Sequence, residues 1–161
     1  MRSFLATLVA GAFLCACGGP NQPPPPDISP AEQELDRHSQ ALVNVADLPS
    51  ARNETVLHRD NMGRVLANFR AEGAWMGSGG GCPCGDPQAM QTMMDGTVTI
   101  DADVQKHHDI IQNANELDEV RAECQRYHQE VSSRVSDVRS SVNRMGAGCG
   151  GMMRGGGMMG W

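Results

Sequence analysis

The stretch Asp47 to His58, Asp-Leu-Pro-Ser-Ala-Arg-Asn-Glu-Thr-Val-Leu-His, recurs in degraded form 69 residues further along the chain. There Glu116-Leu117-Asp118-Glu119-Val120-Arg121-Ala122-Glu123 keeps the pattern acid-Leu-x-x-apolar-Arg-x-Glu. The same shift lays His38 on His107, Arg70 on Arg139 and Met76 on Met145, with a glycine-rich run after each half. A chain made of two such halves, 31–76 and 101–145, has two similar apolar faces to bury, and each is the natural cover for the other.

Within the halves the apolar period is that of a helix. Leu35, His38, Leu42 and Val45 stand three and four apart, as do Val104, His107, Ile111 and Ala114. Ala51, Thr55, His58, Met62, Leu66 and Phe69 form the second stripe of the first half; Val120, Cys124, Tyr127, Val131, Val135, Val138 and Val142 form that of the second. Asp47 is placed to cap a helix that has Pro49 in its first turn, where a missing N–H costs nothing. Asn115 is the matching cap candidate. Residues 77–100 are expected to be the connection, with Gly79-Gly80-Gly81-Cys82-Pro83-Cys84-Gly85 and then Asp86-Pro87 opening a short helix with Met90, Met93 and Met94. The helical pattern is expected to resume at residue 101.

If the chain reverses at Asp47 and at Asn115, two degenerate helical hairpins assemble into an all-α antiparallel four-helix bundle. If it runs straight through both, the result is one long two-helix hairpin. The caps and Pro49 favour the bundle, whereas nothing between Asn113 and Leu117 forces a break.

The N-terminus carries a different signal. Residues 1–16 have Arg2 ahead of an apolar run, Phe4 to Leu14, too short to span a bilayer as a helix. The run ends in Leu14-Cys15-Ala16-Cys17, which resembles the lipobox of bacterial lipoproteins. That resemblance implies a signal peptide over 1–16 and a mature chain beginning at an acylated Cys17, anchored to a membrane. Gly18 in place of Asp implies the outer membrane, facing the periplasm or the cell surface. Residues 17–30, with Pro23 to Pro26, read as an extended polyproline spacer, and the Gly- and Met-rich residues 146–161 as a disordered tail. The formal net charge is -6 and Lys106 is the only lysine, which argues against nucleic acid as a partner. No protein partner is legible.

Two sets of side chains carry metal chemistry. In the bundle His38, His58, His107 and Tyr127 point inward at nearly the same depth, with Cys124 and Met62 one turn away on either side. Three imidazoles and a phenol in one layer suit a transition metal such as copper or zinc. Glu34, Glu54, Asp103 and Glu123 each stand four residues before a member of the layer, as helix neighbours able to orient the ring or to bind the ion. The competing reading is a buried polar layer that sets the register of the hairpins. The second set is soft: Cys82, Cys84, Cys149, Met152, Met153, Met158 and Met159 suit copper(I), while the cysteines of an exported chain suit a disulfide equally well.

The pattern Glu-x-x-His of di-iron bundles is absent. Tyr127-His128-Gln129 is similar to small haem-binding four-helix cytochromes in three residues only, with Met62 as the other ligand. His128 falls off the inner stripe, so haem is disfavoured. No nucleophile-and-base motif, phosphate loop or zinc-protease helix occurs, and binding rather than catalysis is expected.

Overall fold

The computed structural model describes residues 25–75 and 86–150, with the backbone alone for residue 75 and residues 146–150. Four helices follow one another: α1 Ser29–Val43, α2 Leu48–Trp75, α3 Pro87–Asn113 and α4 Leu117–Gly150. Each packs on the next and α4 closes on α1, with α3 and α4 packed most extensively. The chain reverses between α1 and α2 and again between α3 and α4. It is an all-α antiparallel four-helix bundle, and the long two-helix hairpin is excluded.

Local chemistry accounts for most of the ends. The Asp27 carboxylate accepts the Ser29 N–H at 2.9 Å, and Pro30 occupies the first turn of α1. The Asp47 carboxylate accepts the Ser50 N–H at 2.7 Å ahead of α2. Asp86 does the same for the Gln88 N–H at 3.0 Å, with Pro87 opening α3. Each bond satisfies one of the backbone donors that a helix start leaves unpaired.

The second reversal is built otherwise. Asn115 offers its backbone N–H, which donates to the Glu119 carboxylate at 2.9 Å, and the first backbone bond of α4 runs from Val120 N–H to the Glu116 carbonyl. What holds the turn comes from α2: the Arg52 guanidinium donates to the Ala114 carbonyl at 2.8 Å, and the Gln112 amide donates to the Arg52 carbonyl at 3.0 Å. The end of α3 is therefore capped by the start of α2.

Two expected boundaries move. Ile28, assigned to the spacer, is buried in the core, so the proline segment gives way to the bundle before residue 30. The connection expected over 77–100 is shorter, because α3 is one continuous helix from Pro87. Ala89, Met93, Thr97 and Ile100 extend the buried stripe of Val104, His107 and Ile111 without a break. Gly96, which looked like punctuation, lies where α3 approaches α4: a Cβ there would come within 2.6 Å of Val138 Cγ2. Its lack of a side chain permits close packing at that point and ends nothing.

The core divides in two. One cluster gathers Ile28, Leu35, Met62, Leu66, Phe69 and Ile100 with Val131, Val135, Val138 and Val142 of α4. A smaller one, near the two turns, holds Leu42, Ala51, Ile111, Ala114, Val120 and Cys124. At about 1.5–3 kcal/mol for each large apolar side chain removed from water, these clusters supply the main drive for assembly. Between them lies a layer that is not apolar.

Candidate metal centre

His38, His58, His107 and Tyr127 meet in that layer, one from each helix, all at 1% exposure or less. Across one diagonal His38 Nε2 faces His107 Nε2 at 3.0 Å; across the other His58 Nε2 faces the Tyr127 hydroxyl at 2.9 Å. Both contacts join residues 69 apart, so each links a residue to its own counterpart in the other hairpin. His38 stacks on His58 with ring centroids 3.9 Å apart, and His107 on Tyr127 at 4.0 Å, while the two stacks meet nearly at right angles. A two-fold relation between hairpins, set by the repeat, thus places four polar ring tips together on the bundle axis.

The other nitrogen of each imidazole meets a carboxylate. His38 Nδ1 lies 3.1 Å from Glu54, His107 Nδ1 3.1 Å from Glu123, and His58 Nδ1 2.9 Å from Glu34. For His38 and His58 these are not the same-helix neighbours expected from the sequence: Glu54 and Glu34 exchange places across the hairpin. His107 likewise takes Glu123 of α4 in place of Asp103. Because α1 and α2 run antiparallel, and α3 and α4 likewise, the facing helix carries a carboxylate at the depth of each ring. Tyr127 has no second nitrogen to offer, and Asp103 pairs instead with Arg134 Nε at 2.6 Å.

Arginines complete the surround, and these were not anticipated. Arg37 spans Glu34 and Glu54 at 2.7 and 2.9 Å, and Arg126 holds Glu123 at 2.6 Å. The available signal was the spacing of Glu34 to Arg37 and Glu123 to Arg126, three apart on one helix face. Burial works to raise the Glu34 carboxyl, but hydrogen bonds from Arg37 and His58 outweigh it and hold it at about 2. Glu123 is lowered through Arg126 and His107 against the same opposition from burial.

These carboxylates fix the tautomers. An ionised carboxylate only accepts, so the Nδ1 atoms of His38, His58 and His107 carry hydrogens, and in a neutral ring of that tautomer Nε2 is an acceptor. His58 Nε2 is satisfied by its hydrogen bond with the Tyr127 hydroxyl, a group that can donate or accept. His38 Nε2 and His107 Nε2 face each other at hydrogen-bond distance, 3.0 Å, and with Nδ1 protonated in two neutral rings both would be acceptors. Protonating either ring would repair the contact, yet burial drives His38 far below the usual imidazole range and His107 down to about 4.

Cys124 and Met62 do not join the rings. Met62 packs in the larger apolar cluster and Cys124 in the smaller, where it lines a groove between α1 and α4 and burial pushes its thiol up. His128 sits on the surface side of α4, 3.2 Å from Asp36. Among the described residues no group of three or more His, Cys, Asp or Glu side chains is arranged to hold a metal ion, so what the layer presents is a pair of nitrogens with a third ring stacked beside it. The anchor candidate Cys17 and the soft set Cys82, Cys84, Met152, Met153, Met158 and Met159 lie outside the described residues, as does the side chain of Cys149. Among the described residues no helix is long and apolar enough to cross a membrane. No family model, no curated protein and no solved structure matches the chain.

Proposed function

We propose that this chain is a lipoprotein of the bacterial cell envelope, anchored through Cys17, whose bundle binds a transition metal ion, copper or zinc, as a buffer, carrier or sensor. The observation that supports this reading is the pair of buried imidazole nitrogens, Nε2 of His38 and of His107, facing each other at 3.0 Å. Two facing imidazole nitrogens can serve a metal ion as ligands, and the Nδ1–H to carboxylate bonds are the arrangement that holds metal-binding imidazoles in register. His58 and Tyr127 stand stacked against the pair as further ligands. The chemistry assigned is binding; no substrate and no catalytic residue is assigned.

Elemental analysis and competition titration of the purified protein test this. The expected result is one metal ion per chain that is lost when His38 or His107 becomes Ala. Retention of the full metal content in the triple variant with His58→Ala would sink the core site. The anchor has its own test: a Cys17→Ala variant should fail to incorporate labelled fatty acid and should leave the membrane fraction.

A second reading has an observation of its own. The His58 to Tyr127 hydrogen bond is complete without any ion, and a satisfied polar layer can serve to fix the register between hairpins. On that reading the bundle is a structural or interaction lipoprotein, and the histidine variants change its stability while no metal is bound.

A further inference from the structure

We propose that the groove between α1 and α4 binds a small organic anion, an aliphatic monocarboxylate whose chain lies on Leu42, Val43 and Cys124 and whose carboxylate meets Arg121. This site is separate from the ring layer and does not depend on a metal there.

The two-fold relation between the hairpins marks the groove as a departure. Through the 69-residue shift the interface of α1 with α4 corresponds to that of α2 with α3, which is how the ion pair of Arg139 with Glu32 matches that of Arg70 with Asp101. Between α2 and α3 the equivalent place is filled. The Arg59 guanidinium reaches His108 at 3.3 Å, the Gln112 amide donates to the Arg52 carbonyl at 3.0 Å, and Arg52 donates to the Ala114 carbonyl at 2.8 Å. Between α1 and α4 the counterparts are smaller or turned away. Ser39 replaces His108 and meets the Cys124 thiol beneath it. Val43 replaces Gln112 and is left 71% exposed. Arg121 replaces Arg52 but pairs with Asp118 of its own helix at 2.9 Å. His128, in the place of Arg59, crosses to the exposed Asp36 at the rim. What remains is a groove of about 400 Å³, within the range of roughly 300–1,000 Å³ that small-molecule sites occupy.

The walls select the class of occupant. Leu42, Val43 and Cys124 supply apolar surface, and among the described residues no carboxylate lines the groove, although the formal net charge of the chain is -6. Arg121 is the permanent charge on the wall, and a guanidinium takes a carboxylate through two parallel hydrogen bonds. Its present partner Asp118 is exposed, and an exposed ion pair contributes little, so a ligand carboxylate can take that place. From Arg121 to Gln129 the groove follows α4 for roughly 12 Å at the helical rise, which suits an extended chain better than a compact ion. An organic cation would meet Arg121 with no carboxylate to offset it, and a neutral chain would leave the guanidinium unused.

The test is calorimetric titration of the purified full chain with octanoate, octanol and octylammonium, each below its aggregation limit. The expected result is one octanoate per chain, with amide NMR shifts centred on residues 39–43 and 121–129. Octanol and octylammonium should bind at least about tenfold more weakly, and Arg121→Gln should weaken octanoate by a similar factor, as the loss of a hydrogen-bonded charge requires. Ser39→His combined with Val43→Gln copies the filled interface of the other hairpin and should abolish binding. Should that pair lose its helical spectrum, the exposed Val43→Asp, which sets a carboxylate at the mouth, should do the same. Absence of saturable octanoate binding, equal binding of octanol, or octanoate binding unchanged by Arg121→Gln or by the closing variant overturns the proposal.

Discussion

His38 and His107 each offer two nitrogens, and the layer treats them oppositely: Nδ1 is held by a carboxylate and Nε2 is left facing its counterpart. The carboxylates are therefore positioning residues, and Glu54→Gln or Glu123→Gln should cost about 10- to 100-fold in metal affinity with the helical content retained. Competition titration measures this; unchanged affinity would show that the tautomer is not set there. Acid should expose the same preference. Folded, His107 takes a proton only near pH 4; unfolded, it takes one near 6.5. Within that window the unfolded chain binds more protons, so stability is fully present above about pH 6.5 and falls as pH drops toward 4. From His107 alone the loss is on the order of 3 kcal/mol, and His38, lowered further, adds to it. Glu34, held at about 2, extends the decline below pH 4.5. Thermal melts of the metal-free protein at pH 7, 5.5 and 4.5 should show a falling midpoint, and a flat profile would contradict the neutral pair.

At the scale of the helices, three substitutions probe what holds the elements together. Arg52→Ala removes the donor to the Ala114 carbonyl and should destabilise the bundle by about 1–3 kcal/mol, read by urea denaturation. Gly96→Ala drives a methyl group against Val138 and should cost about 1–3 kcal/mol, because overpacking outweighs the better helix propensity. Gly63→Ala, with nothing within 4 Å of the added atom, should instead gain roughly 0.5–1 kcal/mol. These sites also mark where sequence stops being informative. The buried stripes, the Asp47 cap with Pro49 and the Asp86-Pro87 start are written in neighbouring residues, and all of them are legible. The turn at Ala114 is held by a residue 62 positions earlier, and Gly96 takes its meaning from a valine on another helix, so neither can be read locally. The three imidazoles and Tyr127 were legible through the repeat. Their carboxylate partners were legible as a set but assigned to the wrong rings, because helical spacing does not reveal which antiparallel neighbour stands at the same depth.

For the whole molecule, the two-fold relation between hairpins accounts for both what the layer has and what it lacks. The ion pairs of Arg70 with Asp101 and of Arg139 with Glu32 are exchanged by the same shift that exchanges the rings. Full symmetry would give four histidines, each with a carboxylate: His38, His58, His107 and a fourth at position 127 beside Asp103. Such a layer would confront acceptors across both diagonals. Tyr127 breaks the symmetry, because its hydroxyl, able to donate or accept, hydrogen-bonds His58 Nε2 and satisfies that diagonal without an ion. On the metal-binding reading it leaves the layer a place for one cation. Tyr127→His should replace a satisfied contact with a second pair of opposed nitrogens and lower metal-free stability by about 1–3 kcal/mol. Added copper(I) or zinc(II) should restore the melting midpoint and raise the capacity of the core above that of the parent. Thermal melts with and without each ion measure both effects. A Tyr127→His variant more stable than the parent without metal would mean that the layer accommodates facing imidazoles unaided, and that the pair at His38 and His107 has no need of an ion either.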